Sequence, residues 1–91
     1  MEKMRATAGF RGHVQGVGFR YTTIDVARRF AVEGYVRNAS DGTVEVVAEG
    51  ARDEVERFIE AIRNEMSYYV GEVKLSWSPA TNEFRNFTVR F

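Results

Sequence analysis

Between Arg5 and Gly12 apolar and polar positions alternate, with Ala6, Ala8 and Phe10 on one side and Arg5, Thr7 and Arg11 on the other. That period of two predicts a half-buried strand. From Phe19 the period changes. Phe19, Thr23, Val26, Ala27 and Phe30 recur at helical spacing while Asp25, Arg28 and Arg29 fall off the stripe, which predicts a helix from about Phe19 to Ala31, broken at Glu33-Gly34. Tyr35 to Ala39 reads as a second, short strand. Asp41-Gly42 between two strand-like runs is a hairpin signal, and Thr43 to Glu49 then alternates with Val44, Val46 and Ala48 inward, ended by Gly50. Asp53 and Glu54 place negative charge in the first turn of a second helix, whose stripe is Val55, Phe58, Ile59, Ile62 and Met66, its carboxylates forming a solvated face. Val73, Leu75 and Trp77 alternate on a fourth strand, Pro79 to Asn82 is a loop, and Phe87, Val89 and Phe91 alternate on a last strand. By this spacing Trp77 and Phe91 are core residues.

The order is β-α-β-β-α-β with an additional C-terminal strand. Two crossovers around a hairpin give an α+β, ferredoxin-like two-layer sandwich: an antiparallel sheet covered on one face by two helices. Strand two is taken to run antiparallel to strand one; both hairpin strands neighbour the first crossover, so a polar residue there such as Asn38 can approach the glycine loop without being obliged to. The fold hosts many unrelated functions, so function must come from particular residues.

Composition narrows the classes. The 91 residues suit a single domain, 1–91, with one core. Thirteen basic and 13 acidic residues cancel, which argues against a general nucleic-acid binder. An RNA-recognition domain of this fold needs aromatic side chains on its central strands, and Thr43 to Glu49 offers Glu45 and Glu49 instead. Cysteine is absent and His13 is the single histidine, so thiolate chemistry and a cysteine or histidine-rich metal site are excluded. The first residues, Met1 to Arg5, carry no apolar signal segment, and no apolar run is long enough to span a membrane. A cytoplasmic monomer without nucleic-acid or membrane partners is expected.

The stretch Gly12-His13-Val14-Gln15-Gly16-Val17-Gly18-Phe19-Arg20 breaks the pattern between strand and helix. Glycines let successive amides face one concavity, and the helix that follows adds free N–H groups and partial positive charge, which together suit a phosphate. Neither nucleotide signature is present: Tyr21 occupies the position of a third fingerprint glycine, and no Gly-Lys pair occurs. The stretch is therefore either an anion socket or a plain glycine-rich turn. Arg20, in the first helical turn, opposes the helix dipole; it is either relieved by a bound dianion or paired with a carboxylate. Asn38 either orients a water molecule or bonds within its own turn. His13 has no partner evident in the sequence.

Two segments carry a resemblance. Residues Gly12 to Arg20 resemble the signature loop of the acylphosphatases, and Gly34-Tyr35-Val36-Arg37-Asn38-Ala39-Ser40-Asp41-Gly42-Thr43-Val44 resembles their second signature. The similarity covers nearly the whole chain and implies the ferredoxin-like sandwich. It implies that the amides of Gln15, Gly16, Val17, Gly18, Phe19 and Arg20 cradle the phosphate, that the Arg20 guanidinium binds it, and that Asn38 orients the attacking water. It further implies metal- and cofactor-independent hydrolysis of the carboxyl-phosphate bond of a small acyl phosphate. A non-catalytic phosphate- or carbamoyl-phosphate-binding module is the alternative. Many members have tryptophan where Tyr35 stands and a Gly-Pro-Pro segment where this chain has Met66-Ser67-Tyr68-Tyr69-Val70.

Overall fold

A computed structural model describes residues 2–91; Met1, the first residue of the expected domain, lies outside them. The elements follow the predicted order: β1 (Lys3–Gly12), α1 (Phe19–Ala27), β2 (Glu33–Asn38), β3 (Val44–Ala51), α2 (Arg52–Glu65), β4 (Val70–Pro79) and β5 (Phe87–Val89). They form one sheet in the order β4-β1-β3-β2-β5. This is the ferredoxin-like α+β sandwich with a strand added at one edge. β1, β3 and β4 pair antiparallel, as do β2 and β3, but β5 lies parallel to β2, so the sheet is mixed. Because β1 and β2 both run against β3, they are parallel to each other, and the expectation that strand two opposes strand one is corrected.

The alternation in each strand becomes the inner face of the sheet. Ala6, Ala8 and Phe10 stand opposite Ala48, Val46 and Val44, and all six are buried under the helices. Val26 from α1 and Val55, Phe58 and Ile62 from α2 fill the space above them. Phe58 touches Phe30 and Phe87 at ring-centroid separations of 5.9 and 5.2 Å, joining α2 to the segment after α1 and to β5. At roughly 25 cal/mol per Å² of apolar surface, aromatic and branched side chains of this kind are the main favourable term. No helix among the described residues is long and apolar enough to cross a membrane.

Four elements depart from the periodicity. Helix α1 ends at Ala27 rather than near Ala31, because Arg29 and Phe30 donate to carbonyls three residues back and the Ala31 amide turns to the Glu54 carboxylate at 2.9 Å. Glu54 is thus a tie between helices rather than part of a solvated face. Strand β3 continues through Gly50 to Ala51. Leu75 faces the inner side of β4 opposite Ala8, yet it is exposed: Val73 and Trp77 on the same face pack against the core, and Arg52 of α2 covers Trp77 at 4.4 Å, but Leu75 between them stays in solvent. Phe91 lies beyond β5 with its side chain in solvent, not in the core.

The outer face carries charge and one unexpected burial. Arg5 and Glu49 are direct cross-strand partners, and Glu49 is only 2% exposed. The chain must pass from β4 at one edge to β5 at the other, and its connection crosses this face. Glu49 holds it there, accepting from the Arg5 Nε at 2.7 Å, the Thr81 amide at 2.9 Å, the Thr81 hydroxyl at 3.1 Å and the Asn82 amide at 3.0 Å. Arg5 also bonds Thr81 and Glu83 and lies 5.1 Å from the Phe84 ring. Burial pushes the Glu49 carboxyl upward, but the donors from Thr81, Arg5 and Asn82 outweigh it and hold the group below its ordinary range.

A carboxylate depressed in the folded state stabilises fully above its unfolded pKa, about 4.3, and that stability is lost as pH falls through the lower folded value. Glu49→Gln places an amide NH₂ against N–H donors and leaves Arg5 under-neutralised. It should lower stability at pH 7 by about 2–4 kcal/mol. Denaturant unfolding at pH 7 and pH 3 checks this: the gap between wild type and variant should narrow at pH 3, where the carboxylate of the unfolded wild-type chain is protonated.

Candidate active site

The parallel arrangement of β1 and β2 puts their C-terminal ends at the same end of the sheet. Gly12 closes β1 there and Asn38 closes β2. The glycine stretch and Asn38, 26 positions apart in sequence numbering, therefore meet. They line one pocket of about 130 Å³, built from Val14, Gly16, Gly18, Phe19, Arg20, Tyr21 and Asn38.

The loop is shaped by two different uses of glycine. Gly16 and Gly18 both have φ of 79°, in the left-handed region, and a Cβ on either would meet nothing within 4 Å. Their requirement is conformational. At Gly12, by contrast, a Cβ would lie 2.3 Å from the Tyr69 carbonyl oxygen, so close approach decides. That same carbonyl accepts the His13 amide at 3.0 Å. The Met66 to Val70 segment, where the sequence departs from the acylphosphatase pattern, thus braces the start of the loop. His13 itself is exposed and lines no part of the pocket.

The far side of the loop is held by a side chain whose role the sequence did not disclose. Gln15 Nε2 donates to the carbonyls of Ala39 and Thr43, each at 2.9 Å, which ties the loop to the β2–β3 turn. The Asp41 carboxylate accepts the Thr43 hydroxyl at 2.7 Å and its amide at 3.0 Å, and these bonds hold its carboxyl below the ordinary range. Buried Phe19 anchors the helix end, its ring 5.0 Å from that of Phe10.

What remains is a set of uncommitted donors. Gly18 is the N-cap of α1, without a side-chain cap, and no acidic residue stands in the first turn, whereas α2 has Asp53 and Glu54 there. Apart from Val17, whose amide closes the tight turn at Gln15-Gly16, none of the amides from Val14 through Tyr21 donates to a carbonyl or side chain among the described residues. The half-buried Arg20 forms no ion pair among them, although most of the chain's arginines do; its guanidinium instead lies 5.2 Å from the centre of the Phe91 ring. The turn after β2 is bonded by Asp41, Gln15 and its own backbone, and the Asn38 side chain makes no hydrogen bond among the described residues. Of the two readings open for Asn38 and for Arg20, the ones that spend these groups inside the protein are therefore not realised. Free amides, helix N-terminal charge and an unpaired guanidinium around one small pocket suit a tetrahedral oxyanion.

Size alone would point elsewhere. A concavity of about 630 Å³ lies at the opposite end of the sheet, lined by Lys3, Glu33, Glu54 and Arg57 among others. Its charged side chains are engaged with one another, Lys3 with Glu33 at 3.3 Å and Arg57 with Glu54 at 2.6 Å and Asp53 at 3.5 Å.

Comparison with known proteins agrees with the residues. The acylphosphatase family model matches residues 6–89. An acylphosphatase of Salinibacter ruber is 46% identical over 94% of this chain and 92% of its own length, and one of Nocardia farcinica is 42% identical over 98% and 90%. The crystal structure of acylphosphatase from Bacillus subtilis superposes with a TM-score of 0.88 at 30% identity, covering 97% of this chain and 99% of the other. With its two signature segments meeting at one pocket, this chain belongs to the acylphosphatase family.

Proposed function

We propose that the pocket between the glycine loop and Asn38 hydrolyses acyl phosphates to a carboxylate and inorganic phosphate, as the family's name states. The observation that carries the reading is the coincidence of unsatisfied amides, unpaired Arg20 and uncommitted Asn38 at one site. In this proposal the phosphoryl group sits against the amides of Gln15, Gly16, Val17, Gly18, Phe19 and Arg20. The Arg20 guanidinium takes two of its oxygens with a planar fork. Asn38, offering one acceptor and two donors, holds a water molecule in line with the scissile bond.

The chemistry asks little else of the protein. Water oxygen bonds to phosphorus as the bond from phosphorus to the acyl oxygen breaks, and the electron pair leaves with the carboxylate. A carboxylic acid has a pKa of about 4, so this leaving group departs without a general acid. A phosphate oxygen of the substrate accepts the water's proton, which makes a protein base unnecessary. Phosphoryl transfer is then a matter of positioning and charge stabilisation, and the proposal assigns both to the amides and Arg20 rather than to a metal. In this reading the enzyme works as a monomer on a small molecule in the cytoplasm.

Benzoyl phosphate should be consumed at an undiminished rate in excess chelator, with inorganic phosphate a competitive inhibitor. Phosphate binding without turnover would instead support the non-catalytic binding module. Purely noncompetitive inhibition would place phosphate at a different site.

Arg20 and Asn38 should also separate by experiment. Arg20 serves ground state and transition state alike, so Arg20→Ala should weaken phosphate binding about 10-fold or more and slow turnover, with lysine a poor substitute. Asn38 acts on water in the reacting complex. Asn38→Ala should lower kcat by about 100-fold or more while phosphate affinity stays within about twofold of wild type. Calorimetric phosphate titration beside steady-state kinetics, on variants first shown to be folded, checks the division. Equal loss of phosphate binding in both would overturn it.

A further inference from the structure

The groups assigned above to phosphate and to water come from two segments that the sheet brings to the same end. Gly12 to Arg20 carries the phosphate donors, and Asn38 stands where β2 gives way to the turn into β3. That turn is closed by bonds of its own. Asn38 is the last residue of β2 to pair with β3, opposite Val44. The Ala39 amide donates to the Thr43 carbonyl at 2.9 Å, and the Gly42 amide to the Ala39 carbonyl at 3.2 Å. These bonds fix the shape of the turn, but none of them fixes its distance from the glycine loop.

The Gln15 side chain supplies that distance. Its backbone belongs to the loop, and its half-buried amide group reaches across to the carbonyls of Ala39 and Thr43, each 2.9 Å from Nε2. A primary amide nitrogen carries two hydrogens, so one group takes both sides of the turn at once. Among the described residues no other hydrogen bond joins residues 13–20 to residues 39–43. Asn38 has particular need of the tie. Its side chain makes no hydrogen bond among the described residues, so its place over the pocket is inherited from the backbone that follows it. Positioning of reacting groups is intolerant, and a misplacement of about 1 Å can cost about 100-fold in rate.

We infer that Gln15 is a positioning residue, which carries the seat of the phosphate through its own side chain to the residue that holds the attacking water. This role rests on the hydrolytic reading of the pocket. Phosphate against the Gln15 amide pins the loop at that residue, and the same residue pins the carbonyls on either side of the turn. Phosphorus and water are thereby placed from one point of the chain, and an occupied cradle steadies the turn that bears Asn38.

A double-mutant cycle separates this role from a contribution to folding. Gln15→Met keeps the length of the side chain and removes its donors. Both carbonyls retain a backbone donor, so the folded state should survive. With benzoyl phosphate, kcat should fall about 10-fold while calorimetric phosphate affinity stays within about twofold of wild type, because the cradle donors are backbone groups. In an Asn38→Ala background the same change should alter kcat by less than about twofold, since the group it positions is gone. Gln15→Lys keeps a donor and should return a large part of the lost kcat. Hydrogen exchange gives a readout without turnover: inorganic phosphate should slow the Ala39 and Gly42 amides in wild type and leave them unchanged in Gln15→Met. Equal losses of kcat in the two backgrounds, or phosphate affinity that falls together with kcat in Gln15→Met, would overturn the positioning role and leave the hydrolytic reading standing. Should Gln15→Met fail to fold, exchange in the wild type decides, and amides that phosphate does not slow would overturn it. A wild type that hydrolyses no benzoyl phosphate would remove both readings together.

Discussion

Strand β3 hydrogen-bonds to β1 on one side and to β2 on the other, antiparallel in both cases. Because it opposes each, β1 and β2 share a direction and end together. The glycine loop leaves the end of one and Asn38 sits at the end of the other, so the pocket exists only because β3 lies between them. The inner face of these three strands is also the floor of the core, where Phe10, Val36 and Val46 are fully buried. Stability and site are thus consequences of one pairing pattern. A one-residue slip of β1 against β3 would turn Ala6, Ala8 and Phe10 out of the core and displace the loop with them.

The outer face depends on a polar constraint of a different kind. A sheet whose fourth strand ends at one edge and whose fifth begins at the other needs a connection across it. Backbone crossing a sheet brings amides that must find acceptors. Glu49 supplies them while its charge is balanced by Arg5, and no buried side-chain nitrogen or oxygen among the described residues is left without a partner. This crossing delivers β5 to β2, where Phe87 packs on Phe58, and then delivers Phe91 to the guanidinium of Arg20. A buried carboxylate on one face thereby helps place an aromatic ring at the pocket.

The site itself runs against the economy of the rest of the fold. Elsewhere the chain pairs its charges, on α2 through Arg52–Glu56 and Arg57–Glu54 and across strands through Arg37–Glu45. At the loop it leaves amides open, a helix uncapped and an arginine unpaired beside a positive helix end. Each is unfavourable in the empty protein and favourable once an anion is present. The braces around the loop, from Tyr69 on one side and Gln15 on the other, hold it open against collapse onto internal acceptors. That is the arrangement expected where binding, rather than folding, uses the donors.

How much of this was legible in the sequence follows from the range of the interactions. Periods of 2 and 3.6 are properties of the local backbone, so they located every helix and strand and identified Ala6, Ala8, Phe10 and Val46 as inward. Glycine spacing marked the loop, because left-handed backbone at Gly16 and Gly18 is a local demand. Resemblance of two short segments to one family was enough to name the chemistry. Periodicity reports which face a residue occupies, but not what covers that face. Glu45 and Glu49 occupy equivalent places in the alternation of β3, yet only Glu49 lies under the crossing segment. Phe91 continues the alternation of β5 into solvent, and α1 stops early because an amide finds Glu54 from another helix. The direction of β2 relative to β1, the Gln15 tie and the meeting of Arg20 with Phe91 each join residues far apart in the chain. Only the tertiary structure decides them, since each depends on which distant segment arrives as a partner.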